Sequence, residues 1–290
     1  MSDLLQHAFN GLVNGSFYAL LALGLSVIFG MLGVVNFAHG AFYMVGAFGA
    51  FILLSEAGLG FWPALVIVPL VLGGLGMGLE RVLVRRLVAL DPLYNFLLTF
   101  GLTLILQDLL RMKYGSQAQP YPEPSGLGGS VNLGLFDYPA YQVFVLGFSV
   151  LVSLGAWLLL ARTRVGMIVR AATERPELTR ALGINVGRWI SPVFGFGIAL
   201  AGLSGVLAAP MRAVSPLMGG DLIILVFAVV VIGGLGSIFG SVVAGFGIGM
   251  LQALGNVYLP GLATTSVFIV MAVVLLWRPA GLFGREETAV

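Results

Sequence analysis

The sequence predicts an all-α protein, a polytopic transmembrane helical bundle of about eight or nine spans with one short helix outside the membrane. Hydrophobic residues make up 59% of the 290 residues and charged residues only 9%, against about a quarter in soluble domains. The apolar residues also fall in runs that are each close to the length a helix needs to cross a bilayer. Lipid is therefore the expected solvent for most of the surface.

The apolar runs follow one another along the whole chain, which predicts a single transmembrane domain over residues 1–290. They cover 11–29, 33–54, 62–84, 93–110, 139–161, 190–211, 222–238, 240–258 and 262–278. The second run is interrupted by polar residues, and 222–258 holds either two short spans or a re-entrant segment and one span. No basic n-region precedes the first run, so we expect that run to direct insertion without a cleaved signal peptide.

The arginines predict the orientation, because cytoplasmic connections of membrane proteins are enriched in Arg and Lys. They gather after the third run, in the connection 162–188 and after the last run, as Arg81, Arg85, Arg86, Arg162, Arg164, Arg170, Arg175, Arg180, Arg188, Arg278 and Arg285. Cytoplasmic placement of these regions puts the N-terminus outside, the C-terminus inside and the loop 111–138 on the extracytoplasmic side. Arg111 and Lys113 go against the rule, although the Pro- and Gly-rich tract after them is typical of an exposed loop.

The composition excludes several kinds of site. The chain has no cysteine, which excludes disulfides, thiol catalysis and cysteine-ligated metals. The net charge is only +2, without the basic face that nucleic-acid binding needs. His39 has no second histidine, cysteine or carboxylate at ligand spacing, so no metal site is predicted.

Glycine is abundant, with 42 residues, and three pairs have the four-residue spacing that shares one helix face. Small residues let membrane helices approach closely, so these pairs are predicted to pack helix against helix. They are Gly74/Gly78, Gly236/Gly240 and Gly245/Gly249.

The connection 162–188 predicts a short capped helix. Pro176 suits the first helical position, Glu177 and Arg180 complement the two ends of the helix dipole, and Gly183 suits the residue that ends the helix. An apolar face is expected at helical spacing, formed by Leu178, Ala181 and Leu182. Such a helix either docks on a partner protein or lies among lipid headgroups.

Four motifs, in order along nearly the whole chain, resemble the branched-chain amino acid (LivH/LivM-type) ABC permeases. Residues 170–172 (Arg-Ala-Ala) with 180–185 (Arg-Ala-Leu-Gly-Ile-Asn) are similar to the family's cytoplasmic loop. Three others resemble the LivH branch, namely 11–20 (Gly-Leu-Val-Asn-Gly-Ser-Phe-Tyr-Ala-Leu), 36–40 (Asn-Phe-Ala-His-Gly) and 233–240 (Gly-Gly-Leu-Gly-Ser-Ile-Phe-Gly).

The resemblance implies that 170–184 is the coupling helix that seats in a separate ATPase subunit. The implied contact residues are Arg170, Ala171, Glu177, Leu178, Arg180, Ala181, Leu182 and Gly183. The implied partners in the bacterial inner membrane are a homologous permease subunit, giving a heterodimer, two ABC ATPase subunits and an extracytoplasmic substrate-binding protein. The implied solute is a branched-chain or other hydrophobic amino acid, with urea, short amides or aromatic acids left open.

The sequence independently places ATP hydrolysis elsewhere. A phosphate-binding Walker A loop needs a lysine, and the only lysine is Lys113, in a Lys-Tyr-Gly context. We therefore expect no enzyme activity and no bound cofactor in this chain, with ATP and Mg²⁺ used by the partner subunits.

Polar side chains within spans predict the translocation path, because such groups tend to face a cavity or another helix. The candidates are Asn14, Tyr18, Asn36, His39, Tyr43, Asn95, Thr99 and Thr103. The last three recur every four residues and form either a hydrogen-bonding seam or a path-lining face. The motif 36–40 predicts a broken helix, whose polar side chains either meet the solute or only satisfy the irregular backbone.

Two other classes of membrane protein fit the sequence less well. Gly202-Leu203-Ser204-Gly205 matches the Gly-x-Ser-Gly of rhomboid proteases, but no histidine follows His39, so small-residue packing is expected there. A stand-alone secondary transporter or passive channel usually carries an ionisable residue deep in a span, whereas Glu80, Asp108 and Arg212 lie near span ends.

Overall fold

The structure is a computed structural model that describes residues 2–88, 90–132, 134, 137–174 and 176–284, with only the backbone described at 2, 3, 173, 174 and 176. In chain order its helices are α1 (Ser2–Leu32), α2 (His39–Ala57), α3 (Phe61–Leu79), α4 (Arg85–Leu87), α5 (Pro92–Tyr114), α6 (Ala140–Arg162), α7 (Arg164–Glu174), α8 (Pro176–Ala181), α9 (Gly187–Ala208), α10 (Met218–Gly233), α11 (Ile238–Tyr258) and α12 (Ala263–Trp277). A π-helical turn, Glu80–Val84, joins α3 to α4.

The helices confirm the predicted all-α membrane bundle. Within the described ranges, seven helices are long and apolar enough to cross a membrane, and α10 and α12 are shorter apolar helices. These nine helices correspond to the nine apolar runs. The run 222–258 forms two helices, α10 and α11, with a tight turn between them. In the second run, helix α2 begins only at His39, because α1 continues to Leu32 and six irregular residues follow it.

The centre of the bundle is formed by α1 and α9, whose spans are the most buried. Helix α1 packs along α11, and α9 packs against α1, α2 and α3. The contact between α1 and α11 is so close that a Cβ built on Gly249 would lie 2.3 Å from Gly15 Cα, and one on Gly245 would lie 2.6 Å from Ala19 Cα. The prediction that Gly245/Gly249 packs two helices together is confirmed.

The other two glycine pairs do not pack as predicted. No atom lies within 4 Å of a Cβ built on Gly74 or Gly78, so this pair faces away from the described neighbours in the chain. Gly236 lies in the turn before α11 with a φ of +80°, so it shares no helix face with Gly240. The four-residue spacing of the glycines could not predict how these two pairs pack, because it specifies neither which face of a helix is buried nor where the helix begins.

Two parts of the predicted extracytoplasmic loop 111–138 have regular secondary structure. Helix α5 continues to Tyr114, where Lys113 Nζ and the Tyr114 hydroxyl both donate to Glu56 Oε1 at the end of α2. The loop then forms an antiparallel hairpin of β1 (Ser130–Asn132) and β2 (Asp137–Pro139). This hairpin is anchored to the bundle, because its buried Tyr138 donates to Asn10 of α1.

Candidate functional site

The connection between α1 and α2 is an irregular stretch of backbone inside the bundle. Gly33, with a φ of +66°, ends α1 in the left-handed region that glycine adopts without strain. Asn36 then organises the start of α2, because its Oδ1 accepts from the Ala38 N–H at 3.1 Å and its backbone oxygen accepts from the His39 N–H at 3.2 Å. The predicted break in the helix is confirmed.

The six residues between α1 and α2 run back along α1, so that α2 begins beside the middle of that helix. His39 Nε2 donates to the Leu21 carbonyl oxygen at 3.0 Å. Leu21 lies eleven residues before the end of α1, about 16 Å along a helix, which is about half the thickness of a bilayer core. The first turn of α10 meets the first turn of α2 here, since a Cβ on Gly40 would lie 2.4 Å from the Gly219 carbonyl oxygen. Two helices therefore begin side by side deep in the bundle.

The polar stripe of α5 faces this break. Thr99 Oγ1 accepts from the Phe37 N–H at 3.3 Å, and Thr103 Oγ1 donates towards the Phe37 carbonyl oxygen at 3.4 Å. The Phe37 ring lies edge-on to Phe96, with 4.8 Å between centroids. The two threonines thus satisfy backbone groups that the broken helix leaves unpaired, which is a structural role whatever else they contact.

Several buried polar atoms around the break have no hydrogen-bond partner among the described residues. They are Asn36 Nδ2, His39 Nδ1, the Tyr43 hydroxyl, and both Nδ2 and Oδ1 of Asn95. Because a buried polar group without a partner costs about 1–3 kcal/mol, such groups are usually kept for a purpose. Donors and acceptors are both present, so the set can hydrogen-bond a small polar solute.

The remaining predicted path residues form a second group nearer the N-terminal end of α1. The Tyr18 hydroxyl donates to Gln252 Oε1 of α11 at 2.8 Å. Asn14 Oδ1 accepts from Arg212 Nη2 at 3.0 Å. The structure therefore divides the eight predicted residues between the break and this second group, which contains Asn14 and Tyr18.

The connection 162–188 folds into two helices that pack under the bundle. Helix α8 begins and ends as predicted, and Gly183 adopts a φ of +82° just beyond it. The implied coupling helix 170–184 falls on two helices, α7, which ends at Glu174, and α8, which begins at Pro176. Arg175 and Arg285 lie outside the described residues. Buried Val169 of α7 packs in a cluster with Val27 of α1 and Leu160 of α6. Thr179 of α8 donates to the Ala171 carbonyl oxygen at 2.9 Å and ties the two helices together.

The eight predicted contact residues of this connection are all exposed. Leu178 is 54% exposed and Leu182 80% exposed, although both are large apolar side chains. The predicted apolar face of α8 is therefore present and faces away from the rest of the chain.

One buried cluster was not predicted from the sequence. The fully buried Glu80 carboxylate accepts from Arg85 at 3.0 and 3.1 Å and from the Ser191 hydroxyl. Arg85 also donates to the Gly187 carbonyl oxygen at 2.9 Å. This cluster joins the end of α3 to the first turn of α9, directly after the connection 162–188.

The signal for this cluster was the spacing of Glu80 and Arg85. An α-helix places residues five apart on different faces, whereas a π-helix closes its hydrogen bonds between residues five apart. The Arg85 N–H donates to the Glu80 carbonyl oxygen in this way. The π turn therefore brings the two charged side chains together. Their contact could not be predicted from α-helical periodicity, which places them on different faces.

A membrane-spanning bundle with a helix broken at mid-depth and polar groups collected at the break has the architecture of a membrane transport protein. The family model described as "Branched-chain amino acid transport system / permease component" matches residues 7–277. The chain belongs to this family of membrane transport permeases. The resemblance inferred from the four motifs is thereby confirmed.

Curated relatives agree with this assignment over nearly the full length. The chain is 34% identical to the high-affinity branched-chain amino acid transport system permease protein BraD of Pseudomonas aeruginosa, over 98% of this chain and 96% of that protein. It is 30% identical to the permease protein LivH of Escherichia coli K12, over 98% and 96%. It is also 29% identical to the permease protein LivM of the same strain, over 91% and 67%.

Proposed function

We propose that this chain is the membrane-spanning subunit of an ATP-driven ABC importer and forms the path for branched-chain or other hydrophobic amino acids. The observation that carries the proposal is the helix pair α7–α8. It is packed against the bundle through Val169 and exposes the apolar face of α8. A helix built this way can receive force from a partner protein and pass it to the transmembrane helices.

A chain of contacts connects α8 to the transmembrane helices, so a force applied to α8 by a partner protein would reach them. Thr179 joins α8 to α7, and Val169 joins α7 to α1 and α6. The Glu80–Arg85–Ser191 cluster joins the start of α9 to α3. Movement of α8 would therefore shift these helices together, and α9 lies at the centre of the bundle.

The path around the break needs such movement to open. The cavity beside Asn36 and Thr99 has a volume of about 10 Å³, which is barely the room that one water molecule needs. An amino acid could pass only if the helices separate. Separation driven by ATP hydrolysis in partner subunits, which would also bind the Mg²⁺, supplies the required work.

The proposed complex contains a second permease, two ATPases and an extracytoplasmic binding protein in a bacterial inner membrane. Similarity to both LivH and LivM of one organism supports a heterodimer of homologous permeases. Hydrogen bonds between Arg81 or Arg85 and the 187–191 segment place two of the arginine-bearing regions at one end of the bundle. This supports the proposed cytoplasmic location of that end, with the N-terminus outside and the C-terminus inside.

Replacing Leu182 by Asp should uncouple ATP hydrolysis from uptake. A carboxylate at an apolar contact would be buried without a partner on docking, so we expect uptake by the reconstituted complex to fall about tenfold or more. Leu182 is exposed and contributes little to the fold of this chain, so the amount of inserted protein should stay unchanged. The measurement is substrate uptake and ATPase activity in proteoliposomes.

The matched control is Leu182→Met, which keeps an apolar side chain of similar volume and should keep normal uptake. Unchanged uptake in Leu182→Asp would remove the coupling role of α8. Uptake by this chain alone, without ATPase subunits, would contradict the importer proposal and indicate a secondary transporter or channel.

Replacing Tyr43 by Phe tests whether the buried hydroxyl belongs to the path. The hydroxyl bonds to none of the described residues, so its removal should leave the melting temperature unchanged or higher. If it contacts the solute, the loss of one hydrogen bond should lower uptake about fivefold. Both quantities are measured on the purified, reconstituted complex.

Tyr141→Phe is the comparison variant, because the Tyr141 hydroxyl is equally buried but donates to the Leu207 carbonyl oxygen at 2.8 Å. That variant should lose stability and keep its uptake per assembled complex. Equal uptake by Tyr43→Phe and the wild type would assign Tyr43 to packing alone.

A further inference from the structure

Arg212 lies in the connection 209–217 between α9 and α10, and its side chain turns into the bundle. Its backbone N–H donates to the Ala208 carbonyl oxygen at 2.8 Å, which extends the last turn of α9. Its Nη2 donates to Asn14 Oδ1 at 3.0 Å, and its guanidinium carbon lies 5.8 Å from the centroid of the Phe17 ring. The cation therefore packs against a face of α1 that is buried at Phe17.

The guanidinium lies below the surface formed by the loop 115–139. Asn10, one helical turn before Asn14, contacts Tyr138 of that loop. Gln119 of the same loop pairs with Val214, two residues after Arg212. Arg212 itself is half-buried. The charge is thus placed beneath the outer loop and directed towards the interior of the bundle.

Within the described part of the chain, Arg212 takes part in neither of the two ion pairs, Glu80–Arg85 and Glu56–Lys113. Its hydrogen-bond partner is the neutral amide of Asn14. A guanidinium has five N–H donors, so most of its donor capacity remains available. An uncompensated cation inside a membrane protein is costly and usually marks a pathway or a ligand.

Tyr43 supplies a second donor in the same part of the bundle. The Tyr43 hydroxyl is fully buried and bonds to none of the described residues. Tyr43 and Phe17, the residue beneath the Arg212 guanidinium, pack against adjacent residues of α9: a Cβ built on Gly205 would lie 2.0 Å from the Tyr43 carbonyl oxygen, and Ser204 Oγ donates towards the Phe17 carbonyl oxygen at 3.4 Å. The hydroxyl of Tyr18, the residue after Phe17 on α1, already donates to Gln252. A guanidinium and a free hydroxyl, with no carboxylate paired to either, are the groups that recognise a carboxylate.

We propose that Arg212 and Tyr43 form a carboxylate-binding site in the outer part of the translocation path, with Asn14 holding the guanidinium in place. The site rests on the proposed function and sharpens it. It requires a solute with a carboxylate, as in amino acids and aromatic acids, and it excludes urea and short amides. Arg212 binds the carboxylate before the solute reaches the break at Asn36 and His39.

An acidic side chain of the extracytoplasmic binding protein is the rival partner for Arg212. The position of the second donor argues against it, because Tyr43 has no exposed surface and a protein docked on the outside cannot reach it. A small solute moving between the helices can reach both groups.

The test uses the complete complex in proteoliposomes, with wild-type chain, Arg212→Gln, Arg212→Lys and the control Arg111→Gln. Arg111 is an exposed arginine on α5, so its replacement is the same chemical change away from the site. The probes are L-leucine and benzoate, which carry a carboxylate, and urea and acetamide, which do not. Uptake and ATPase stimulation by the binding protein are both measured.

We expect the wild type to carry a carboxylate probe and Arg212→Gln to lower its uptake about tenfold or more, because hydrogen bonds to charged groups are the strong ones. Arg212→Lys should fall between the two, since lysine keeps the charge but loses the paired donors. ATPase stimulation should stay within about twofold in every variant. If the Arg212→Gln complex does not assemble, lowered uptake of the carboxylate probe by Arg212→Lys is sufficient to support the carboxylate site.

Normal leucine or benzoate uptake in the assembled arginine variants overturns the carboxylate site while leaving the importer intact. Loss of ATPase stimulation in proportion to uptake overturns it in favour of docking by the binding protein. A wild-type complex that carries only urea or acetamide also overturns it. A wild-type complex that carries none of the four probes contradicts the proposed function itself.

Discussion

Gly249→Val should strongly destabilise the chain and lower its melting temperature. A Cβ at this position would lie 2.3 Å from Gly15 Cα and 2.5 Å from the Gly11 carbonyl oxygen. Both are backbone atoms of the central helix α1 and cannot move aside as a flexible side chain could. Overpacking of this kind typically costs up to about 3 kcal/mol and sometimes more, which is a large part of the stability of a typical protein. The measurement is the amount and the melting temperature of purified chain.

Gly247→Val is the matched control on the same helix. No atom lies within 4 Å of a Cβ built on Gly247, so valine there should project away from α1 and leave the melting temperature close to wild type. Equal behaviour of the two variants would contradict the close packing of α1 on α11. A selective loss in Gly249→Val would show that the contact, and not the helix propensity of valine, is responsible.

Arg85→Ala should destabilise the chain more than Glu80→Gln does, although both changes break the same ion pair. Glu80 has no exposed surface, whereas the Arg85 side chain is 43% exposed. Removal of Arg85 leaves a buried carboxylate without its charge partner, which costs about 3 kcal/mol or more. Replacement of Glu80 by the neutral amide leaves an arginine that can still reach water, at a cost of about 1 kcal/mol.

The double variant Glu80→Gln/Arg85→Ala gives the sharper test. It removes the orphaned charge, so it should be more stable than Arg85→Ala alone. Arg86→Ala serves as the control, because Arg86 is the neighbouring exposed arginine and should tolerate the change. Melting temperatures in detergent decide the order. A double variant less stable than Arg85→Ala would contradict a buried, charge-paired carboxylate at Glu80.

Features that depend on nearby residues were predictable from the sequence. The nine apolar runs correspond to nine helices, because the thickness of the bilayer fixes how many residues one helix must contain. Helix α8 and its glycine end were predictable because caps act within one turn. The break at 36–40 was also predictable, since Asn36 bonds to Ala38, two residues away.

The contacts between distant residues were not predictable. Thr99 accepts from Phe37, 62 residues away, and Arg212 donates to Asn14, 198 residues away. In water, the apolar side of an amphipathic helix marks the face that is buried. In lipid, both the buried and the outer faces are apolar, so Gly74/Gly78 and Gly245/Gly249 looked alike in sequence although only the second pair packs within the chain.

The sequence by itself therefore determined the membrane bundle, the positions of its apolar helices and the family, because these follow from composition, run length and short motifs. Only the tertiary structure decided which polar groups meet. It paired the threonine stripe with the broken backbone, joined Glu80 to Arg85 through a π turn, and gave Arg212 a neutral partner, Asn14. The physical reason is that a bilayer fixes the length of each helix but not its rotation, which close packing against its neighbours sets.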